Sequence, residues 1–414
     1  MQQFRKQRML TTLIVSIGLL LAFTGVTPAA TPKPGDVIDS SNIDRYQEYF
    51  PMFMQRYIKD GWGIEEPVVI KVREHKVVPL TKGYIEASKK NMETCKLTED
   101  GMLEGYSGSG APFPELKEPN IGLKAMWNQF YKNFPDDWLI PTSYLTIQKR
   151  KGSDRVSISD STNEQLFFSG RTQIEPLPEL NNPKNLFWAS KLDSKTPPNK
   201  DMATLTWRYK DPTKFDDMWT YVPTLRRTLR LVSSERANPV RGTAYTWDDF
   251  YGFDGKIPFF TYKLIGEQTV LNLKQQASVA EEIDRENFPW HPVLFKNTEE
   301  YEEFEPVPCY VIEIRSKDPR YPQDRKIVWL DKTRFFVLYA QMFDKKGEFW
   351  KGFWNGGQIR PVETTYGEEP MVVQSSSGIT DFKTGYWVQT LTGVLEMNKG
   401  ADPNYFQPGT LGTF

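Results

Sequence analysis

The last third of the chain dictates an antiparallel sheet. Downstream of Cys309, segments that alternate apolar and polar side chains follow one another: Tyr310 to Arg315, Lys326 to Leu330, Phe335 to Phe343 and Gly347 to Trp354. The joints carry Asp318-Pro319, Asp331-Lys332 and Asp344-Lys345-Lys346-Gly347, which is hairpin turn chemistry. Period-two alternation puts successive side chains on opposite faces of a strand. Tight turns leave no room for the helical crossovers that parallel strands require, so the segments form a meander. Similar runs precede it at Tyr144 to Lys149, Gln165 to Ser169, Ala203 to Tyr209, Met218 to Leu231 and Phe259 to Ile265.

Ahead of Pro141 the pattern is mixed. Ile43, Tyr46, Tyr49 and Phe50 recur at helical spacing over Asn42 to Lys59, with Pro51 expected to break or kink the helix. Thr81 to Cys95 and Ile121 to Phe134 read as further helices and Val68 to Val78 as a strand, while Gly101 to Pro119 is loop. The expected organisation is a leader over 1–29, a helical or mixed region over 30–140 packing on the barrel, an antiparallel half-barrel over 141–407 and a loose tail over 408–414.

Arg5, Lys6 and Arg8 precede an apolar run from Met9 to Val26, followed by Thr27-Pro28-Ala29-Ala30. A basic start, an apolar core and a small-residue exit describe a secretory signal peptide cleaved after Ala29. The run is also long enough to serve as an uncleaved anchor. No Cys stands at the exit, so a lipoprotein is not expected, and the expected compartment is the periplasm. Loss of the leader takes the formal net charge from −1 to −4, a balance that offers nucleic acid no basic surface. No feature asks for a second copy, and a monomer is expected.

Cys95 and Cys309 are the only cysteines. The compartment permits a disulfide between them, but nothing in the sequence brings them together, and two separate thiols are the alternative. His75 and His291 are the only histidines, and neither has a second His, or a Cys, at ligand spacing. No metal site and no cofactor are expected. The chain also lacks a nucleophile elbow, a phosphate-binding Gly loop and a dinucleotide fingerprint.

The stretch Phe215 to Gly266 carries most of the remaining information. Its basic run places Arg226, Thr228 and Arg230 opposite Leu225, Arg227 and Leu229 on strand parity. Those arginines either brace a carboxylate such as Asp248 or Asp249 or line a cavity mouth and hold an anionic lipid group. Asp248 and Asp249, in the turn Trp247 to Gly255, read as caps and turn braces. The alternative is a glycan-active hydrolase using one of them. The run Glu299 to Glu305 reads as a solvated loop, a frayed helix or a dock for a basic partner.

Aromatic residues make up 14% of the chain, with 12 Trp. Such rings have apolar bodies and polar tips, which suits a wide, partly wet cavity. On strand parity the candidate lining is Leu205, Trp207 and Tyr209; Trp219 and Tyr221; Phe336, Leu338 and Met342; and Trp350 with Trp354. A one-residue register error exchanges these with their neighbours.

The runs MWTYVPTLRRTLRL (218–231) and TAYTWDDFYGFDGKI (243–257), with the hairpins KIVWLDKTRFFVLYAQMFDKKGEFWK (326–351), resemble the bacterial domain-of-unknown-function family 1329. The resemblance runs roughly from Asp36 to Asn404. That family is similar to the LolA/LolB periplasmic lipoprotein carriers, which implies an α+β fold: a strongly curved antiparallel sheet or incomplete β-barrel with helices covering a cavity. It implies a non-enzymatic carrier of a lipid or other hydrophobic molecule. As partners it implies an inner-membrane exporter of the resistance–nodulation–division (RND) type and an outer-membrane protein. A structural partner of an outer-membrane protein, with a filled interior, is the remaining alternative.

Overall fold

The meander forms as the alternation requires. The computed structural model describes residues 29–63, 65–141, 144–197, 199–231, 236–273 and 302–412. Within it Glu302–Ser316, Gln323–Asp331, Val337–Asp344, Phe349–Thr364, Gly367–Asp381 and Tyr386–Thr392 pair antiparallel in chain order. Tyr144–Arg150 and Ser157–Ser159 extend one end. At the other, Glu302–Ser316 pairs antiparallel with Phe260–Asn272 and, near its start, parallel with Ile70–Val72, which pairs with Val37–Ile38. This eleven-stranded sheet is curved and does not close.

A second sheet of seven strands runs Arg227–Leu231, Asp217–Val222, Ala203–Tyr209, Leu186–Ser194, Ser161–Phe167, Asp137–Ile140, Glu396–Met397. Consecutive strands pass between these two sheets at four points, from Ile140 to Tyr144, Ser159 to Ser161, Leu231 to Phe260 and Thr392 to Glu396. The two sheets therefore share a corner.

Helices cover both faces of the large sheet. α1 (Met52–Asp60) begins at Pro51 and ends at Gly61, which adopts the left-handed conformation. Upstream of that proline the expected helix is two 3-10 turns, Ile43–Arg45 and Gln47–Tyr49. α1 buries Phe53, Tyr57 and Ile58 against Trp329, Tyr339, Trp354 and Trp387. It sits close because Phe53 lies over Gly352, where a Cβ would come 2.7 Å from the ring. α2 spans Lys82–Asn91. α3 (Ile121–Phe130) packs on the other face with Phe253, Ile312, Met342 and Phe353. Its Gly122 abuts strand Phe260–Asn272, where a Cβ would stand 2.8 Å from Leu264 N. Among the described residues no helix is long and apolar enough to cross a membrane.

Several expectations change. Met218 to Leu231 is not one strand but a hairpin, because Pro223 to Arg226 turns, with Arg226 at φ +50°. The expected loose tail is packed instead: Leu411 is buried and Gly412 lies against the Tyr221 ring. The acidic run enters a strand at Glu302. There Glu303 pairs with Lys71 and Arg73, and the fully buried Glu305 accepts the Lys76 backbone N–H at 2.7 Å. Cys95 and Cys309 are separate buried thiols in different cores. The expected strand Val68 to Val78 shrinks to Ile70–Val72, leaving His75 outside it. The leader up to Pro28, His291 and Glu299 to Tyr301 lie outside the described residues.

Candidate functional site: a cavity between the two sheets

The inner face of the small sheet is ordered in rows by strand register. Phe167, Trp188 and Arg208 form one row, followed by Gln165, Ser190 and Thr206, then Asn163, Leu192 and Thr204, and last Ser161 with Ser194. The floor is thus aromatic and cationic at one end and rich in hydroxyls and amides at the other. Opposite it stand Thr146, Gln148, Val388 and Thr390 of the large sheet. The end of α3 and the segment Arg236 to Gly255 form the roof. The cavity measures about 190 Å³, less than the roughly 300–1,000 Å³ that encloses a drug-sized ligand. It admits one chain or ring system. Wider clefts of about 460 and 630 Å³ lie elsewhere, but this cavity is the one walled by both sheets.

The roof is held by a buried ionic network. Arg208 donates to Asp254 at 2.7 Å and to Asp216 at 2.9 Å. Arg236 donates to Asp216 at 2.7 Å, Asp248 at 2.8 Å and Asp254 at 3.1 Å. Lys256 Nζ stands 2.7 Å from Asp216 Oδ1. Burial pushes the Asp216 carboxyl up, but Arg208, Arg236 and Lys256 outweigh it and hold it below the usual carboxylate range. Asp249 completes a capping box with Thr246 and pairs with Lys326 at 2.9 Å. Burial raises its carboxyl, and Lys326 and Lys351 bring it down to about 2.

Lys132, just past α3, lines the cavity together with Arg208, Arg236 and Asp254. Its ammonium lies 5.0 Å from the Tyr251 ring, 5.3 Å from Phe134 and 5.9 Å from Phe336. Tyr251 is held at φ +54°, a costly backbone conformation for a bulky residue. Burial lowers the Lys132 pKa to about 8, with Asp254 pulling it up and Arg208 pushing it down.

None of the residues expected from parity lines this cavity. Leu205, Trp207 and Tyr209 point to the reverse face of the small sheet, where Trp219 and Tyr221 join them against Phe406 and Leu411. Trp207 Nε1 donates to the Phe406 carbonyl at 2.8 Å. The inward residues of that strand are their neighbours Thr204, Thr206 and Arg208. Leu338 is the extra residue of a bulge, since Leu330 pairs with Val337 and Trp329 with Tyr339. The bulge rephases the strand, so Leu338 joins the α1 core and Met342 the α3 core. Phe336 stacks on Phe134 behind the roof, 5.6 Å between ring centres. Trp354 packs under α1, and Trp350 lines an outer cleft and donates to Asp381 at 3.0 Å.

The arginine run does not meet the carboxylates it was paired with. Arg226 and Arg227 are exposed at the hairpin, and Arg230 bonds Asp217. Asp248 and Asp249 do brace, through Arg236 and Lys326. Lys132, Phe134, Trp188, Arg208, Arg236 and Tyr251 line the cavity without having been among the residues expected to. The available signal was the recurrence of Ser, Thr, Asn and Gln at alternate positions of three strands, a pattern that in isolation reads as a solvent face.

A profile of the DUF1329 family, described as a protein of unknown function, matches residues 37–411. The chain belongs to the DUF1329 family. Among curated proteins no relative matches. A DUF1329 protein from Desulfovibrio piger is 16% identical, with 67% of this chain and 92% of that one covered and a TM-score of 0.46. A domain from Vibrio parahaemolyticus described as an outer membrane lipoprotein-sorting protein is 16% identical, covering 70% and 98%, TM-score 0.49. A LolA superfamily protein from Nitrosomonas europaea is 10% identical, covering 67% and 93%, TM-score 0.38. This DUF1329 chain thus carries its cavity at the corner where its two sheets meet.

Proposed function

We propose that this protein is a carrier that shelters part of a lipid-like molecule in the cavity between its sheets, in the periplasm to which the leader-like start would direct it. The observation that carries the reading is the cavity itself. Phe130, Phe134, Trp188 and Tyr251 bring apolar surface to a space that two sheets and α3 keep open. Apolar burial there contributes about 0.8 kcal/mol per CH₂ taken from water. An open interior favours this reading over that of a structural partner with a filled one.

The hydrolase reading finds its carboxylates engaged. Asp248 accepts from Arg236 and Tyr321, and Asp249 from Lys326, Gln323 and Thr246. Neither lines the cavity, and an acid held near 2 is a poor proton donor at neutral pH. An RND-type exporter and an outer-membrane acceptor are the partners proposed with the carrier. Native mass spectrometry with solvent extraction of protein purified from periplasm tests it. A co-purifying amphiphile is expected. Protein that carries none and takes up no fluorescent fatty acid would count against a carrier.

A further inference from the structure

The buried wall beside the cavity holds more cations than it neutralises. Arg208, Arg236, Lys256, Lys326 and Lys351 face Asp216, Asp248, Asp249 and Asp254, and Lys132 lines the open space beside Arg208, Arg236 and Asp254. The Asp254 oxygens are both taken by Arg208 and Arg236. Among the described residues no carboxylate oxygen pairs with Lys132. Its Nζ donates to the Gln129 carbonyl at a long 3.3 Å, and aromatic faces supply most of its other surroundings. An ammonium has three donors to place, and a half-buried charge with no directly paired carboxylate keeps part of its desolvation cost, which Asp254 offsets only from a distance. Ring faces ease part of that cost. What remains is an attraction for an anion arriving through the cavity.

The floor narrows the choice further. A sleeve for bare hydrocarbon needs no polar lining, yet Gln165, Ser190 and Thr206 stand one row from the aromatic end. We propose that the cavity ligand is an anionic amphiphile, with its carboxylate or phosphate paired to Lys132. Its apolar body lies on the Phe134 and Tyr251 rings, and its neutral polar groups meet the row of Gln165, Ser190 and Thr206. The proposal rests on the carrier reading and adds the charge of the cargo.

Matched probes separate the two claims. The delipidated full chain is titrated at pH 7 with oleate, oleyl alcohol, lysophosphatidic acid and monoolein, followed by calorimetry. The charged member of at least one pair is expected to bind about tenfold tighter. Lys132→Met should abolish that preference and Lys132→Arg retain it. Preference for oleate alone assigns a carboxylate, and for lysophosphatidic acid alone a phosphate. Equal affinities within both pairs, or a preference that survives Lys132→Met, would overturn the anionic assignment while leaving the carrier standing. Failure of all four probes to bind removes both. A melting curve of each variant excludes misfolding, since losing this half-buried cation should not destabilise the fold.

Discussion

Arg236 Nε donates to Asp248 Oδ1 at 2.8 Å while its Nη1 donates to Asp216 Oδ2 at 2.7 Å. One guanidinium thus ties the turn that roofs the cavity to the base of the small sheet. Both carboxylates are buried, so removing the cation leaves charges that water cannot reach. Arg236→Met is expected to destabilise by about 3–5 kcal/mol, the usual result of breaking one side of a buried pair. Urea denaturation measures it. A loss below about 1 kcal/mol would show that the network is not the brace described here.

Asp249 sets an acid limit. Its carboxyl is held at about 2 in the fold, below the ordinary value, so it contributes stability that is present above about pH 4 and lost as pH falls towards 2. The contribution is about 2 kcal/mol. Asp249→Asn should melt lower at pH 7, with Lys326 left buried and unpaired, and should lose less than the parent between pH 4 and pH 2. Parallel acid profiles would contradict this.

Lys132 works in the opposite sense. Its pKa of about 8 lies below the ordinary lysine value, so the unfolded chain binds the extra proton between about pH 8 and 10.5 and stability rises with pH across that window. Below pH 8 the full penalty applies. Lys132→Met should therefore stabilise the empty protein at pH 7 by about 1–2 kcal/mol, a figure discounted for the side chain's partial exposure to the cavity. Anionic probes should lose affinity as pH rises through about 8 with the native lysine, but not with Lys132→Arg.

The two faces of the small sheet make a paired test. Ser190 faces the cavity and Leu205 the reverse side. Ser190→Trp should block ligand uptake at little cost in melting temperature. Leu205→Ala should cost about 2–5 kcal/mol and leave uptake unchanged. The opposite pairing of effects would mean the faces are exchanged.

The C-terminal segment is structural. Phe406 is fully buried over Trp207 and Leu205. Phe406→Ala is expected to cost about 3–5 kcal/mol, whereas a true loose tail would tolerate the change within about 0.5 kcal/mol.

The meander was readable because its evidence is local. Alternation, Asp-containing turns and the segment from Ala203 to Tyr209 need no knowledge of the rest of the chain. Strand Tyr386–Thr392 carries the β-branched and aromatic residues that mark strands, in Tyr386, Trp387, Val388 and Thr390, and was legible. Strand Gly367–Asp381 is hard to read because its run Ser375-Ser376-Ser377-Gly378 lacks them. In the structure those small side chains are buried, and Ser377 bonds Tyr245 at 2.9 Å.

The sequence by itself determined that this chain makes antiparallel sheets, because side-chain period and turn chemistry are properties of neighbouring residues. It did not determine which face looks inward. The central strand Ala203–Tyr209 of the small sheet is buried on both faces, with Leu205 and Trp207 covered by the C-terminal segment and Thr204, Thr206 and Arg208 lining the cavity. Where both faces are covered, the greasier face need not be the functional one. Only tertiary structure brings Lys132, Tyr251 and Phe336 together from positions up to two hundred residues apart. Only it places Lys132 at the cavity, where among the described residues no carboxylate oxygen pairs directly with its ammonium.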